Sequence, residues 1–262
     1  MVVERGAAGD ARARALALLW DQDRRGARGP ARGLTLDQIV GAAIELARRD
    51  GTAALSLRRV AGHLGVAAAS LYTYVPGRAE LEALMIDAVA VTGPLPHEWP
   101  GDWRAKLEAT ARAEWRDLRD DPWVLELSGA EQVPGPNMMR WLDSALRIFD
   151  GVALGEPRKL AAIESVDAYV RGAARLQRDS AATAAGATEG EGESEGGEGD
   201  GGGEGLDASR ERDQELGRLV DFSRFPALGR ALAAGAVPYA RGQFDFGLQR
   251  LLDGIEGLIG KP

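Results

Sequence analysis

The amino-acid sequence predicts an all-α protein: a small three-helix unit near the N-terminus, then a larger helical domain. Three observations carry that prediction. Apolar residues recur at three- and four-residue spacing along most of the 262 residues, and no stretch shows the strict alternation of a half-buried strand. Thr35, Ser56, Gly51 and Gly65 stand where helices should begin, end or turn. Pro76 closes the third periodic segment rather than interrupting it.

The first head helix opens at Thr35, whose side chain can accept a bond from an otherwise unpaired helix N–H. Leu36, Ile39, Val40, Ala43, Leu46 and Ala47 then form one apolar face. Arg48 and Arg49 suit the negative end of the helix dipole, and Gly51 supplies the left-handed residue after it. Ser56 caps the second helix, which turns Leu57, Val60, Ala61 and Leu64 inward. Gly65 falls where a tight turn needs a positive φ. The third helix has Val66 and Leu71 for the core, ends by Val75, and finishes in Tyr72, Thr73 and Tyr74. A helix so poor in large apolar residues, held out from a small core, is suited to the DNA major groove. A core this small should also lean on the segments that follow.

A fourth helix starts at Arg78, with Leu81, Leu84, Met85 and Ala88 inward. Helical patterns follow over 99–127, 137–149, 156–182, 207–222, 226–234 and 244–259. Three segments result: a flexible basic arm over 1–33, a helix-turn-helix unit over 34–81, and a helical domain over 82–262. Within the arm, 10–20 has the composition of a short helix, and Arg28 and Arg32 could reach phosphates or the minor groove. The plainer reading of the arm is a tail without structure. Residues 183–206 read as a disordered acidic insertion. Its formal G-x-G-x-x-G at Gly197, Gly199 and Gly202 follows no strand, and the neighbouring acids would repel a pyrophosphate.

The net charge of −8 looks wrong for a DNA binder, but its distribution removes the objection. Seven acids and no base lie between Gly186 and Gly205. From Arg24 to Ala79, nine arginines face three acids, a local charge of +6. There is no cysteine, which excludes disulfides and thiolate metal sites, and His63 and His97 are too few for a typical zinc site. No apolar run approaches the ~20 residues of a membrane helix, and no secretory pattern opens the chain. No catalytic residue, metal or cofactor is expected, and the cytoplasm is the expected compartment.

The stretch LTLDQIVGAAIELARRDGTAALSLRRVAGHLGVAAASLYTYVPGRAEL closely resembles the DNA-binding domain of the tetracycline-repressor (TetR) family. The matching pieces are Leu34–Thr35, Asp50–Gly51, Leu55–Ser56 with Arg58 and Arg59, Leu64-Gly65-Val66, Leu71–Tyr72, and Arg78 with Leu81. WRAKLEATARAEWRDLRDDPW, GPNMMRWLDSALRIFDG, DAYVRGAARL, RFPALGRAL and FDFGLQRLLDGI resemble the family's tetracycline-repressor-like C-terminal half. The resemblance implies a ligand-responsive repressor. A homodimer would place each third helix in one half of a near-palindromic operator. A small-molecule effector in the C-terminal domain would shift the heads through the fourth helix.

By that resemblance, Thr35, Tyr72, Tyr74 and Arg78 would contact phosphate, and Ser70 and Thr73 the bases. Arg58 could pair bidentately with a guanine edge, with Arg59 beside it, and Ala68 could touch a thymine methyl. Ala67, Ala68 and Ala69 depart from the polar residues common there, so Arg58, the basic arm and DNA shape should supply much of the specificity. Trp115, Trp123, Met138, Trp141 and Tyr169 suit a flat apolar effector, with Asp167 and Arg171 to orient it. The same side chains equally suit a helical core. Val166 and Val170 on one helix, with Leu248, Leu251 and Ile255 on the last, offer stripes for a four-helix dimer interface or for the protomer's own core. Gly247, Gly254 and Gly257 in the last helix suggest close helix approach. The competing readings are an enzyme, or a sequence-independent architectural protein, carrying the same DNA-binding head.

Overall fold

A computed structural model describes residues 2–21, 34–128, 133–188, 220–236 and 243–260. Among them lie eleven α-helices and no strand. They are α1 (Val2–Trp20), α2 (Leu36–Asp50), α3 (Leu57–His63), α4 (Ala68–Tyr72), α5 (Arg78–Ala88), α6 (Trp103–Asp120), α7 (Trp123–Leu127), α8 (Pro136–Arg147), α9 (Glu156–Thr188), α10 (Pro226–Ala233) and α11 (Gln243–Glu256). The expected all-α architecture is what the chain adopts. Arg28, Arg32, residues 189–206 and most of the expected helix over 207–222 lie outside the described residues.

The head forms as its caps dictate. Thr35 Oγ1 accepts from Gln38 N at 3.2 Å, and Gln38 Oε1 accepts from Thr35 N at 2.9 Å, a reciprocal capping box. Ser56 Oγ accepts from Arg59 N at 3.3 Å to start α3. Gly51 and Gly65 take φ of 75° and 67°, the left-handed region a side chain would strain. Ile39, Ala43, Val60, Leu71, Val75, Leu81 and Met85 are fully enclosed where α2 to α5 meet.

Three expectations change. Helix α1 begins at Val2, and its Ala15, Leu18 and Leu19 are buried. Leu18 and Leu19 belong to the head core, so 2–20 is a docked helix rather than a flexible arm. The helix expected over 99–127 is two: α6 ends at Asp120 and α7 starts at Trp123. Pro122 has no N–H to continue the ladder and holds Asp121 at φ −121°, ψ 64°. Helix α9 runs on to Thr188, into the stretch expected to be disordered from 183.

The chain divides into two compact units, one of 1–168 with 251–262, the other of 169–250. The first holds the head, and its core extends beyond it. Trp123 of α7 is buried in the same cluster as Ile39, Leu57 and Leu81, with Val124, Leu127 and Met138 packed against it. The head leans on its neighbour, as its size requires. In the second unit, Tyr169 of α9 stacks on Phe244 of α11 at 5.7 Å between ring centroids.

Candidate DNA-reading surface and its support

Helix α4 is five residues long, and its N-cap, Ala67, makes no side-chain bond. What holds it is Leu71, enclosed on the inner side, and the return of the chain at Tyr74 and Val75, whose amides both donate to Leu71 O at 2.9 Å. The outer side carries Ala69, Ser70, Tyr72 and Thr73, all exposed, with Tyr72 at 54 %. Thr73 Oγ1 donates to Ser70 O at 2.7 Å, so that hydroxyl caps the helix end. Ala68 and Tyr74 are half-buried against the head core. Thr35 stands half-buried at the start of α2.

The arginines separate sharply. Arg58 is exposed in the first turn of α3 and makes no ion pair or hydrogen bond among the described residues. Arg59 donates to Asp50 Oδ2 at 2.6 Å and to Ala54 O at 3.2 Å. Arg49 completes that cluster on Asp50, whose carboxyl is held below its usual range, chiefly by Arg49. Arg78 donates to Glu82 Oε1 at 2.6 Å and to the carbonyls of Leu55 and Thr52, each at 3.1 Å. Its guanidinium joins the start of α5 to the turn between α2 and α3. Arg78 therefore has a structural role beside the phosphate role expected for it, its side chain staying about half exposed, and Arg59 likewise sets α3 against α2. The Arg78–Glu82 pair has i,i+4 spacing, but the Asp50 carboxylate and the carbonyls of Thr52, Ala54 and Leu55 could not be assigned from residue type alone.

A clasp ties the head to the helices behind it. Arg48, in the last turn of α2, donates to both oxygens of Asp121 at 2.6 Å. Trp123 Nε1 donates to Asp121 Oδ1 at 2.9 Å. The Arg48 bonds hold the Asp121 carboxyl below the usual carboxylate range. Thr52 Oγ1 donates to Glu126 of α7 close by. The sequence offered no hint of this pairing across 73 residues.

The expected effector residues scatter in role. Trp123 is buried in the head core and cannot line an effector cavity. Met138 is half-buried against the same core. Trp115 and Trp141 are half-buried, and the Arg119 guanidinium lies 5.0 Å from the Trp115 ring. Asp167 and Arg171 are half-buried on α9. Tyr169 donates its hydroxyl to Phe244 O at 2.9 Å and Gln243 O at 3.0 Å, which locks the start of α11. Burial and the nearby Asp245 push its pKa up. A Cβ on Gly247 would collide with that hydroxyl, so one of the three glycines in the last helical stretch does mark a close approach. Gly254 faces open space. A cavity of about 300 Å³ lies elsewhere, between Leu36, Val40 and Ile44 of α2 and Leu84 and Asp87 of α5.

The expected dimer stripe is corrected too. Val166, Val170, Leu248 and Ile255 are already buried in the single chain, and only Leu251 is half-buried. A partner cannot cover side chains that the protomer encloses. The large apolar residues left exposed on these two helices are Leu176 and Phe246. No helix among the described residues is long and apolar enough to cross a membrane.

A capped three-helix head, an outward short helix and an exposed arginine on the helix before it define a helix-turn-helix DNA-binding regulator. Residues 39–83 match the model of bacterial regulatory proteins of the tetR family, and 95–259 match the tetracyclin repressor-like C-terminal domain. The chain belongs to the TetR family. It is 36 % identical over 261 residues to the HTH-type transcriptional repressor DrrR1 of Streptomyces coeruleorubidus, covering 94 % of this chain and 86 % of that one. An HTH-type transcriptional regulator of Saccharopolyspora erythraea is 35 % identical over 139 residues, 53 % of this chain and 59 % of its own. Among solved folds, the Streptomyces coelicolor TetR family protein ActR, in complex with actinorhodin, superposes with a TM-score of 0.70 at 23 % identity, covering 88 % of this chain and 99 % of that one. A TetR variant from Acinetobacter baumannii, in complex with minocycline, has a TM-score of 0.58 at 21 % identity, covering 86 % of this chain and 98 % of its own.

Proposed function

We propose that this protein is a repressor that binds a near-palindromic operator as a homodimer and is released by a small-molecule effector, acting in the cytoplasm. The observation that carries the reading is an exposed α4 together with an exposed Arg58 on the neighbouring α3, which makes no ion pair or hydrogen bond among the described residues. Arg58 reads a guanine edge, Ser70 and Ala69 meet the bases, and Thr35 and Tyr72 hold phosphates. Selection of duplexes from a random pool tests this. Two half-sites about one helical turn apart should be enriched. Equal displacement by random DNA would favour the architectural reading instead.

The effector proposed is a flat polycyclic aromatic. Support comes from the half-buried Trp115 and Trp141, and from the complexes of ActR with actinorhodin and of the A. baumannii protein with minocycline. Both compounds serve as thermal-shift probes, a ligand at 100 times its Kd giving about 2.7 kcal/mol. For the dimer, Phe246, 69 % exposed, and Leu176 are the proposed contacts. Phe246→Asp should shift sedimentation from dimer to monomer, and an unchanged dimer would remove that face.

A further inference from the structure

The C-terminal end of α5 is joined to the start of α8 by a buried carboxylate. Asp87 is 2 % exposed. Its Oδ1 accepts from Asn137 N and from Met138 N, each at 3.0 Å. Asn137 Nδ2 returns a bond to Asp87 O at 3.1 Å. Helix α8 opens at Gly135 and Pro136, neither of which supplies a side-chain cap. Asp87 does that work from another helix, and a negative charge suits the positive end of the α8 dipole. The fit admits only glycine at 135, because a Cβ there would collide with the Asp87 carboxylate. A second contact flanks the first. Trp20 Nε1, at the end of α1, donates to Pro134 O at 3.0 Å. Helix α1 is anchored at the other end of α5 by Arg14, which donates to the buried Glu80 at 2.6 Å.

We propose that Asp87 is the positioning residue through which α8 and the reading head sense each other. A rigid helix bonded at its end by a buried, geometrically exacting pair has two discrete states, latched and unlatched. Movement of α8 must then either carry α5 with it or open the latch. Arg78 fixes the opposite end of α5 to the head by the carbonyls of Thr52 and Leu55, so displacement at Asp87 reaches α3 and α4. Met138 donates its amide to the latch while its side chain packs against the head core. The inference rests on the regulator reading, and deepens it by naming the joint.

Coupling is reciprocal, so operator binding at the head must be felt at α8 without any effector present. The test is hydrogen exchange of the full chain, with and without the duplex enriched from the random pool. In the native protein, operator should slow exchange at the Asn137 and Met138 amides by about fivefold or more, the lower end of common coupling strengths. Asp87→Asn removes the charge from one side, and Gly135→Ala drives a methyl into the latch from the other. Both should melt as folded proteins and bind the duplex, yet lose the operator-induced slowing. The double variant should add nothing to either, because both break one joint. Full slowing retained in both variants, or additive losses, would overturn the latch. Failure of the native protein to enrich or bind any duplex would instead overturn the regulator reading beneath it.

Discussion

Helices α4 and α5 are neighbours in the chain and are held by opposite means. The reading helix has five residues, no side-chain cap and one fully enclosed anchor, Leu71. The next helix is fastened at both ends: Arg78 to two carbonyls, Glu80 to Arg14, Asp87 to the start of α8. The reading surface is therefore positioned by what surrounds it rather than by its own stability. A helix of five residues is too short to persist alone. The long-range ties are concentrated in α5, and the exposed polar surface in α4.

That contrast can be broken most severely at its inner anchor. Leu71→Ala empties a fully enclosed site under α4 and should cost about 2–5 kcal/mol, read as a lower urea midpoint at constant slope. Operator binding should fall with it. A loss well under 1 kcal/mol would mean that α4 does not depend on that anchor.

A smaller, opposite effect sharpens the comparison. Ala67 has φ −68° and ψ 136°, the extended conformation of a helix N-cap, but no side-chain oxygen to offer. Ala67→Ser should stabilise by about 0.5–2 kcal/mol in thermal unfolding. No gain would mean that the α4 amides are already satisfied.

The smallest effect belongs to the clasp behind the head. Arg48 is half exposed, so Arg48→Ala should cost about 0.2–1 kcal/mol in urea unfolding. Its pH signature is more diagnostic. The Asp121 carboxyl is held below its usual range by Arg48. A depressed native pKa stabilises the fold fully above the unfolded value, about 3.9, and that contribution is lost as pH falls through the native value. Between pH 7 and pH 3 the native protein should therefore lose more stability than Arg48→Ala does. Parallel curves would show that the clasp contributes nothing.

Much of the head was readable in the sequence because its signals are local. Thr35, Ser56, Gly51 and Gly65 act on amides or dihedrals within a few residues, and each takes the role its type predicts. The break at Pro122 obeys a local rule as well, and is hidden by the apolar periodicity continuing on both sides. The roles that could not be read are long-range. Arg58 and Arg59 are adjacent and chemically identical, yet Asp50 and the Ala54 carbonyl take one and leave the other. The stripe of Val166, Val170, Leu248 and Ile255 shows only that a face is apolar, and it is the protomer that encloses it. The docking of α1 is hidden because its Ala- and Arg-rich run resembles a basic arm until Leu18 and Leu19 find a core.

The central claim is that Arg58 and α4 read sequence while Arg59 only supports them. The direct measurement is a salt-matched titration of the native protein, Arg58→Ala and Arg59→Ala on the enriched operator and on a random duplex. Arg58→Ala should lose about 1–3 kcal/mol of discrimination, mostly on the operator. Arg59→Ala should keep the operator-to-random ratio within about twofold, any loss being common to both duplexes. Discrimination unchanged in Arg58→Ala, or lost equally in both variants, would contradict the account.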